Sequence, residues 1–189
     1  NYDIVLIGHK NHQEVKGIRG VAPVHLIENT RDVEKLNLEK ERAVYITQTT
    51  LSVDDTREIV DALIAKFPYI ESPKKDDICY ATQNRQDAVK LLSKESDVIL
   101  VVGSKTSSNS NRLVETANRM NIPSYLLMKK EEIEPYWFDN IKTVGVTSGA
   151  STPEVLVKDI IKELKSYGSP DVEYITLTEE HVTFGLPVM

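Results

Sequence analysis

Apolar residues recur along this chain in short runs that alternate with longer, helically spaced stripes. Asp3-Ile4-Val5-Leu6-Ile7, closed by Gly8, reads as a buried parallel strand. Val15 and Ile18 seat a short helix before Gly20, and Val24 to Ile27 form a second strand. Asn29-Thr30 offers an N-cap to a helix carrying Val33 and Leu36, and Ala43 to Ile46 is a third strand. Ser52-Val53-Asp54-Asp55 has the form of a capping box, with Asp in place of the usual Glu. Behind it Ile59, Val60, Leu63, Ile64 and Phe67 fall at i, i+3, i+4 spacing and predict an amphipathic helix. Pro68 and Pro73 bound a short extended stretch.

The alternation restarts after Cys79. Ala88, Val89, Leu91 and Leu92 mark a helix, and Asp97 to Val102 is the strongest strand signal, stopped by Gly103. Leu113, Ala117 and Met120 form the stripe of the next helix, before a strand from Ser124 to Met128. Ile133, Trp137 and Phe138 pack a short irregular helix. Lys142 to Val146 is a strand, and Thr152-Pro153 opens a helix with proline at its first position. Val155, Leu156, Ile160, Ile161 and Leu164 are its apolar face. The tail from Tyr174 to Met189 has little periodicity and is expected to pack on something outside this chain. Strands alternating with helices imply parallel sheets covered on both faces. The expected class is α/β, with two small three-layer domains over residues 1–77 and 78–168 and a tail over 169–189.

Composition narrows the function little. The 189 residues are 40% hydrophobic and 28% charged, as in ordinary soluble domains. A net charge of −6 with no basic face argues against nucleic acid as the main partner. No apolar run approaches the ~20 residues that span a bilayer, and no signal-peptide pattern opens the chain. A single cysteine excludes an intrachain disulfide and fits a reducing compartment, so a cytoplasmic location is expected. The chain starts at Asn1, already within a strand pattern, as an excised piece or a trimmed leader would.

The chemistry lies in four polar clusters, each after an apolar run and before a helical pattern, where open α/β sheets bind ligands. They are Gly8 to Glu14, Thr47 to Thr50, Gly103 to Arg112 and Thr147 to Pro153. Ser107-Ser108-Asn109, Ser151-Thr152 and Thr49-Thr50-Leu51-Ser52 each place hydroxyls at a helix start, where free N–H groups and the dipole favour an anion. Any one alone is explained by helix capping. Three together favour a phosphate or diphosphate. His12 and Glu14 lie in a strand-to-helix turn, suited to phosphate binding and proton transfer, although the residue types alone favour a solvated loop. His9 is a weaker candidate of the same cluster, His25 and His181 read as ordinary surface or partly buried residues, and Asp76-Asp77 as a solvated turn. Cys79 stays open between a small buried hydrophobe, a nucleophile and a metal ligand. An iron-sulfur cluster needs three or four thiolates, and this chain supplies one.

These clusters also carry a resemblance. His12 to Val15, Thr47 to Ser52, Asp76 to Gln86, Gly103 to Arg112 and Gly145 to Pro153 together resemble the 4-hydroxy-3-methylbut-2-enyl diphosphate reductases, the IspH or LytB family. The motifs stand in the family's order and cover about the last three fifths of a family member. The resemblance implies three α/β domains around a 4Fe-4S cluster held by three cysteines, with Cys79 as the third ligand. The other two cysteines and a further substrate-site histidine would lie upstream. It implies reductive dehydroxylation of an allylic diphosphate to isopentenyl and dimethylallyl diphosphate, in the non-mevalonate isoprenoid pathway. Ferredoxin or flavodoxin would supply the electrons. Glu14 would be the proton donor and Thr49 its relay partner, while His12, Ser107, Ser108, Asn109 and Ser151 would hold the diphosphate with Thr50 nearby. Gln13 departs from the family, which commonly has proline there, and should alter turn rigidity more than chemistry. With one thiolate, the chain alone is expected to be an inactive truncation. The alternatives are a diphosphate-binding module lacking a cluster, and an enzyme using Cys79 as nucleophile.

Overall fold

The computed structural model describes residues 2–73, 78–168 and 171–177. The first half builds strands β1 (Asp3–Ile7), β2 (His25–Ile27), β3 (Ala43–Thr47) and β4 (Ile70–Glu71), with helices α1 (Gln13–Val21), α2 (Thr30–Lys35) and α3 (Val53–Lys66) between them. The second half builds α4 (Tyr80–Leu92), β5 (Val98–Val102), α5 (Ser108–Arg119), β6 (Ser124–Leu127), β7 (Val144–Ser148) and α6 (Glu154–Leu164). Two short 3-10 turns, Lys130–Glu132 and Pro135–Phe138, separate β6 from β7. The strands form two parallel sheets, ordered β2-β1-β3-β4 and β6-β5-β7.

Period-2 alternation explains how each strand feeds two layers. In β5, Ile99 and Val101 pack with Val89, Leu113 and Ala117 of α4 and α5. Leu100 and Val102 face the other way, onto Leu127, Ile133 and Ile160. Val5, Ile7 and Ile27 of the first sheet pack with Val33, Ile59, Leu63 and Phe67 from α2 and α3. Leu6 points to the opposite face and is fully buried, as is Val15 of α1. The helix starts follow their caps. Asn29 accepts from the backbone of Arg31 and Asp32, Ser52 from Asp55, and Ser107 from Ser110.

Several elements differ from expectation, each for a local reason. α1 runs through Gly20 to Val21, because nothing crowds either of its glycines and the helix lies on the surface. Ile64, Met120 and Val155 are exposed, so the apolar stripes are narrower than their sequence spacing allows, and β6 ends at Leu127, leaving Met128 exposed beyond it. β7 begins at Val144, since Lys142 and Thr143 instead donate their backbone N–H groups to Asp97. Pro153 is the N-cap of α6 and Glu154 its first residue. The capping box is half formed, because the Asp55 carboxylate takes two bonds from Arg119 of α5. The domain boundary expected at residue 77, the Asp76-Asp77 turn, His181 and most of the tail lie outside the described residues. Tyr174 to Leu177 are exposed and irregular.

Topology decides where ligands can sit. In the first sheet the chain leaves β1 for β2 on one side and then returns to β3 on the other. The second sheet repeats this about β5, with β6 on one side and β7 on the other. The crevices at the carboxyl ends of β1/β3 and β5/β7 are therefore topological switch points. One backbone bond extends each ladder past its strand, from Gly8 to Ile27, Gln48 to Ile7, Gly103 to Leu127 and Gly149 to Val102. Each of the four polar clusters contains one of these residues at or near its start.

At the second switch point the absence of side chains has a steric cause. A Cβ on Gly103 would lie 2.2 Å from Ser110 Oγ and 2.8 Å from its Cβ, and one on Gly149 would lie 2.3 Å from the same oxygen. α5 is thereby pressed against both loops. Gly103→Ala should destabilise the protein by about 1–3 kcal/mol, the usual cost of overpacking, and shift the urea midpoint accordingly. An unchanged midpoint would show that α5 can retreat freely.

Candidate active site

The two switch points meet. The Thr50 hydroxyl, after β3, donates to Ser108 Oγ at the start of α5 at 2.9 Å. His9, after β1, has its Nε2 3.0 Å from Arg112 Nη2 of α5. The backbone N–H of Cys79 donates to the Thr49 carbonyl at 3.1 Å, which brings the N-cap of α4 to the same edge. Three of the four clusters and the cysteine thus face one crevice. The fourth lies alongside, as the Gly149 loop packs on Ser110 and Thr152 donates its hydroxyl to the Val102 carbonyl.

On the first-sheet side, Glu14 and Thr49 form a tight pair. Thr49 donates its backbone N–H to both Glu14 oxygens, at 3.2 and 3.1 Å, and its hydroxyl to Oε2 at 3.0 Å. His12 is the N-cap of α1, yet its side chain caps nothing. Its Nδ1 is buried without a hydrogen bond, 3.9 Å from Glu14 Oε2. Gln13, at the first helical position, is exposed where proline is also well tolerated, so the departure from the expected proline falls on a turn and not on a reacting group.

On the second-sheet side, Asn109 is 7% exposed and, among the described residues, both its amide atoms lack partners. Leaving such groups unpaired costs about 1–3 kcal/mol each, a strain that a bound acceptor and donor would relieve. Ser107 accepts the Ser110 N–H as a helix cap, so its oxygen is already engaged. Ser151 is exposed in the β7–α6 loop, and among the described residues its hydroxyl has no partner. Cys79 is exposed, which excludes the buried-hydrophobe reading. Among the described residues, no group of three or more His, Cys, Asp or Glu is placed to hold a metal ion.

Gln48, Gln86 and Arg112 lie within the sequence motifs, but residue order alone gives them no role. All three are buried. Gln86 of α4 accepts the Val53 N–H and donates to the Leu51 carbonyl, satisfying an orphan donor at the start of α3. Nearby, Arg119 of α5 forms two bonds to Asp55, at 2.6 and 2.7 Å, and Lys90 of α4 pairs with Asp54. Gln86 shares the buried face of α4 with Thr82 and Val89, so no apolar stripe marks it in the sequence and only the tertiary partner reveals its use.

The LytB protein family matches residues 1–165. The chain belongs to the LytB family. It is 52% identical over 98% of its length to a Psychrobacter arcticus protein named 4-hydroxy-3-methylbut-2-enyl diphosphate reductase, and 49% identical to one of that name from Pseudomonas aeruginosa. It spans 60% and 62% of those relatives' lengths. A solved structure of the E-1-hydroxy-2-methyl-but-2-enyl-4-diphosphate reductase from Plasmodium falciparum superposes with a TM-score of 0.84 at 43% identity, over 87% of this chain and 53% of that one. In this LytB chain the expected α/β class and parallel sheets hold. No helix among the described residues is long and apolar enough to cross a membrane.

The Asp55–Arg119 pair makes the junction pH-sensitive. Hydrogen bonding from Arg119 holds the Asp55 carboxyl below its ordinary 3.8. Because the folded value is the lower one, the stabilisation is fully present above pH 3.8 and is lost as pH falls through the depressed value. Asp55→Asn should therefore cost about 0.5–1 kcal/mol at neutral pH, as exposed bidentate pairs do. Stability curves of the two proteins should converge as the pH drops below 3.8. Curves that stay parallel into acid would remove Asp55 from this role.

Proposed function

We propose that this chain forms the diphosphate-binding and proton-delivering part of a 4-hydroxy-3-methylbut-2-enyl diphosphate reductase, a cytoplasmic enzyme of non-mevalonate isoprenoid synthesis. The observation that carries the reading is the convergence of an acid–hydroxyl pair, Glu14–Thr49, with the unpartnered Asn109 amide and the Ser108 hydroxyl. His12, Ser107, Ser108, Asn109 and Ser151 would hold the diphosphate, with Thr50 nearby and N–H groups at the start of α5 adding charge complementarity. Residues 1–77 and 78–168 would be the family's second and third domains.

Cys79 fits one ligand position of an iron-sulfur cluster. Its thiol is exposed at the start of α4, where negative charge is favoured, and its backbone is tied to Thr49. A full ligand set is not present in this chain, so two further thiolates would come from elsewhere in the protein. When bound, the 4Fe-4S cluster would pass on two electrons received from ferredoxin or flavodoxin. Conversion of the allylic alcohol to product and water consumes two electrons and two protons. Glu14 would hold the proton for the departing hydroxyl, and Thr49 would hand it on by giving its own proton to the substrate oxygen while taking one from Glu14. The chain's single cysteine also fits a cluster-free diphosphate-binding module.

Asn109→Ala should weaken binding of inorganic pyrophosphate by about fivefold or more while leaving the melting temperature unchanged or raised, since it deletes unpaired buried groups. Unchanged affinity in a calorimetric titration would remove Asn109 from the site. In a full-length enzyme carrying this chain, Glu14→Gln should lower kcat by about 100-fold or more with little change in KM. Residues 1–189 alone should show no turnover in the same assay. Turnover by that piece, or equal rates for the unsubstituted enzyme and its Glu14→Gln variant, would overturn the reading.

A further inference from the structure

Gln48 is 0% exposed at the first position beyond β3, between the two loops of the first switch point. The His9 backbone N–H donates to its Oε1 at 3.0 Å. A backbone N–H can only donate, so this bond fixes which end of the amide is oxygen. The Nε2 end accordingly faces Thr50 and donates to its Oγ1 at 3.0 Å. The Thr50 hydroxyl, accepting there, sends its own hydrogen across to Ser108 Oγ, 2.9 Å away. Ser108 is thereby engaged as an acceptor, and among the described residues its own hydrogen goes to no partner.

We propose that Gln48 is a positioning residue that sets the direction of the Gln48–Thr50–Ser108 hydrogen-bond chain, making Ser108 a donor to the anion bound at the start of α5. The proposal rests on the diphosphate reading above. A hydroxyl is ambivalent, and a Thr–Ser pair left to itself could run in either direction. In the reverse direction Ser108 would spend its hydrogen on Thr50 and present lone pairs to a phosphate oxygen. The buried amide occupies one Thr50 lone pair and so favours the arrangement in which the Thr50 hydrogen goes to Ser108, and each bond in such a chain polarises the next. The fold makes room for the amide. A Cβ on Gly8 would lie 3.2 Å from Gln48 Cβ, 3.3 Å from its Oε1 and 2.7 Å from Val15 Cγ2.

The test is a set of double-mutant cycles read by calorimetric titration of inorganic pyrophosphate. Thr50→Val and Gln48→Met each remove one link without adding charge, and each is made with and without Ser108→Ala. Each substitution alone should weaken pyrophosphate binding about threefold to tenfold, the worth of one hydrogen bond. In the Ser108→Ala background each should change affinity by less than about twofold, because the chain acts only through Ser108. Thr50→Ser, which keeps the hydroxyl, should restore what Thr50→Val loses. Costs that persist undiminished without the Ser108 hydroxyl would overturn the relay and assign Thr50 or Gln48 a direct or merely structural part. If Gln48→Met does not fold, the isosteric Thr50→Val cycle decides alone. An unsubstituted chain that takes up no pyrophosphate defeats the diphosphate reading and the relay with it, whereas binding with additive costs defeats the relay only.

Discussion

The site exists because two sheets are held with their carboxyl edges face to face, and the buried Gln86 amide is central to that. One end accepts the Val53 N–H and the other donates to the Leu51 carbonyl, so α4 of the second half is stitched to the start of α3 in the first. An amide in that position has no solvent to fall back on. Displacing either half would strand a buried donor and a buried acceptor together, which is costly in both directions. The Asp55–Arg119 and Asp54–Lys90 pairs reinforce the same junction at its rim, where water and salt weaken them. The loops after β1, β3 and β5 then meet at distances that individual side chains can bridge.

Polar groups in the resulting crevice fall into two kinds. Some are fully committed, such as Gln48 and the Glu14–Thr49 pair, and they fix geometry. Others are buried and, among the described residues, unpaired, including His12 Nδ1, the Asn109 amide, Ser110 Oγ and Arg112 Nε, and they weaken the folded state unless something binds. A fold optimised for stability alone would have no reason to keep them. Asn109 adjoins Ser110, which is close-packed against Gly103 and Gly149, so its unpaired amide sits on a rigid support and not on a loose loop. Rigid support with unsatisfied polar ends is what preorganisation for a ligand requires. The chain spans about three fifths of its curated relatives' length.

Much of this was legible in the residue order. Buried parallel strands announce themselves as continuous apolar runs, and β5, with all five residues buried, was the clearest of them. Caps at Asn29, Ser52 and Ser107 are local chemistry, decided within three residues, so the helix starts were readable too. The four polar clusters could be assigned to strand ends from pattern alone, and their motifs carried the family resemblance. What sequence spacing overstated was the width of the helical stripes. Ile64, Met120 and Val155 keep the period yet lie outside the contact zone, since burial depends on how far the neighbouring layer extends.

Tertiary structure alone decided which clusters meet. Residues 50 and 108, or 9 and 112, have no local reason to touch, and only the strand order about β1 and β5 and the junction at Gln86 bring them within hydrogen-bonding distance. It also decided that Asp55 serves Arg119 instead of completing its own capping box, because a charged partner 64 residues away offers a stronger bond than a backbone N–H. Local interactions are encoded within a few residues and can be read there. The roles of Gln48, Gln86 and Arg112 are set by partners distant in the chain, and a sequence shows their types without showing their neighbours.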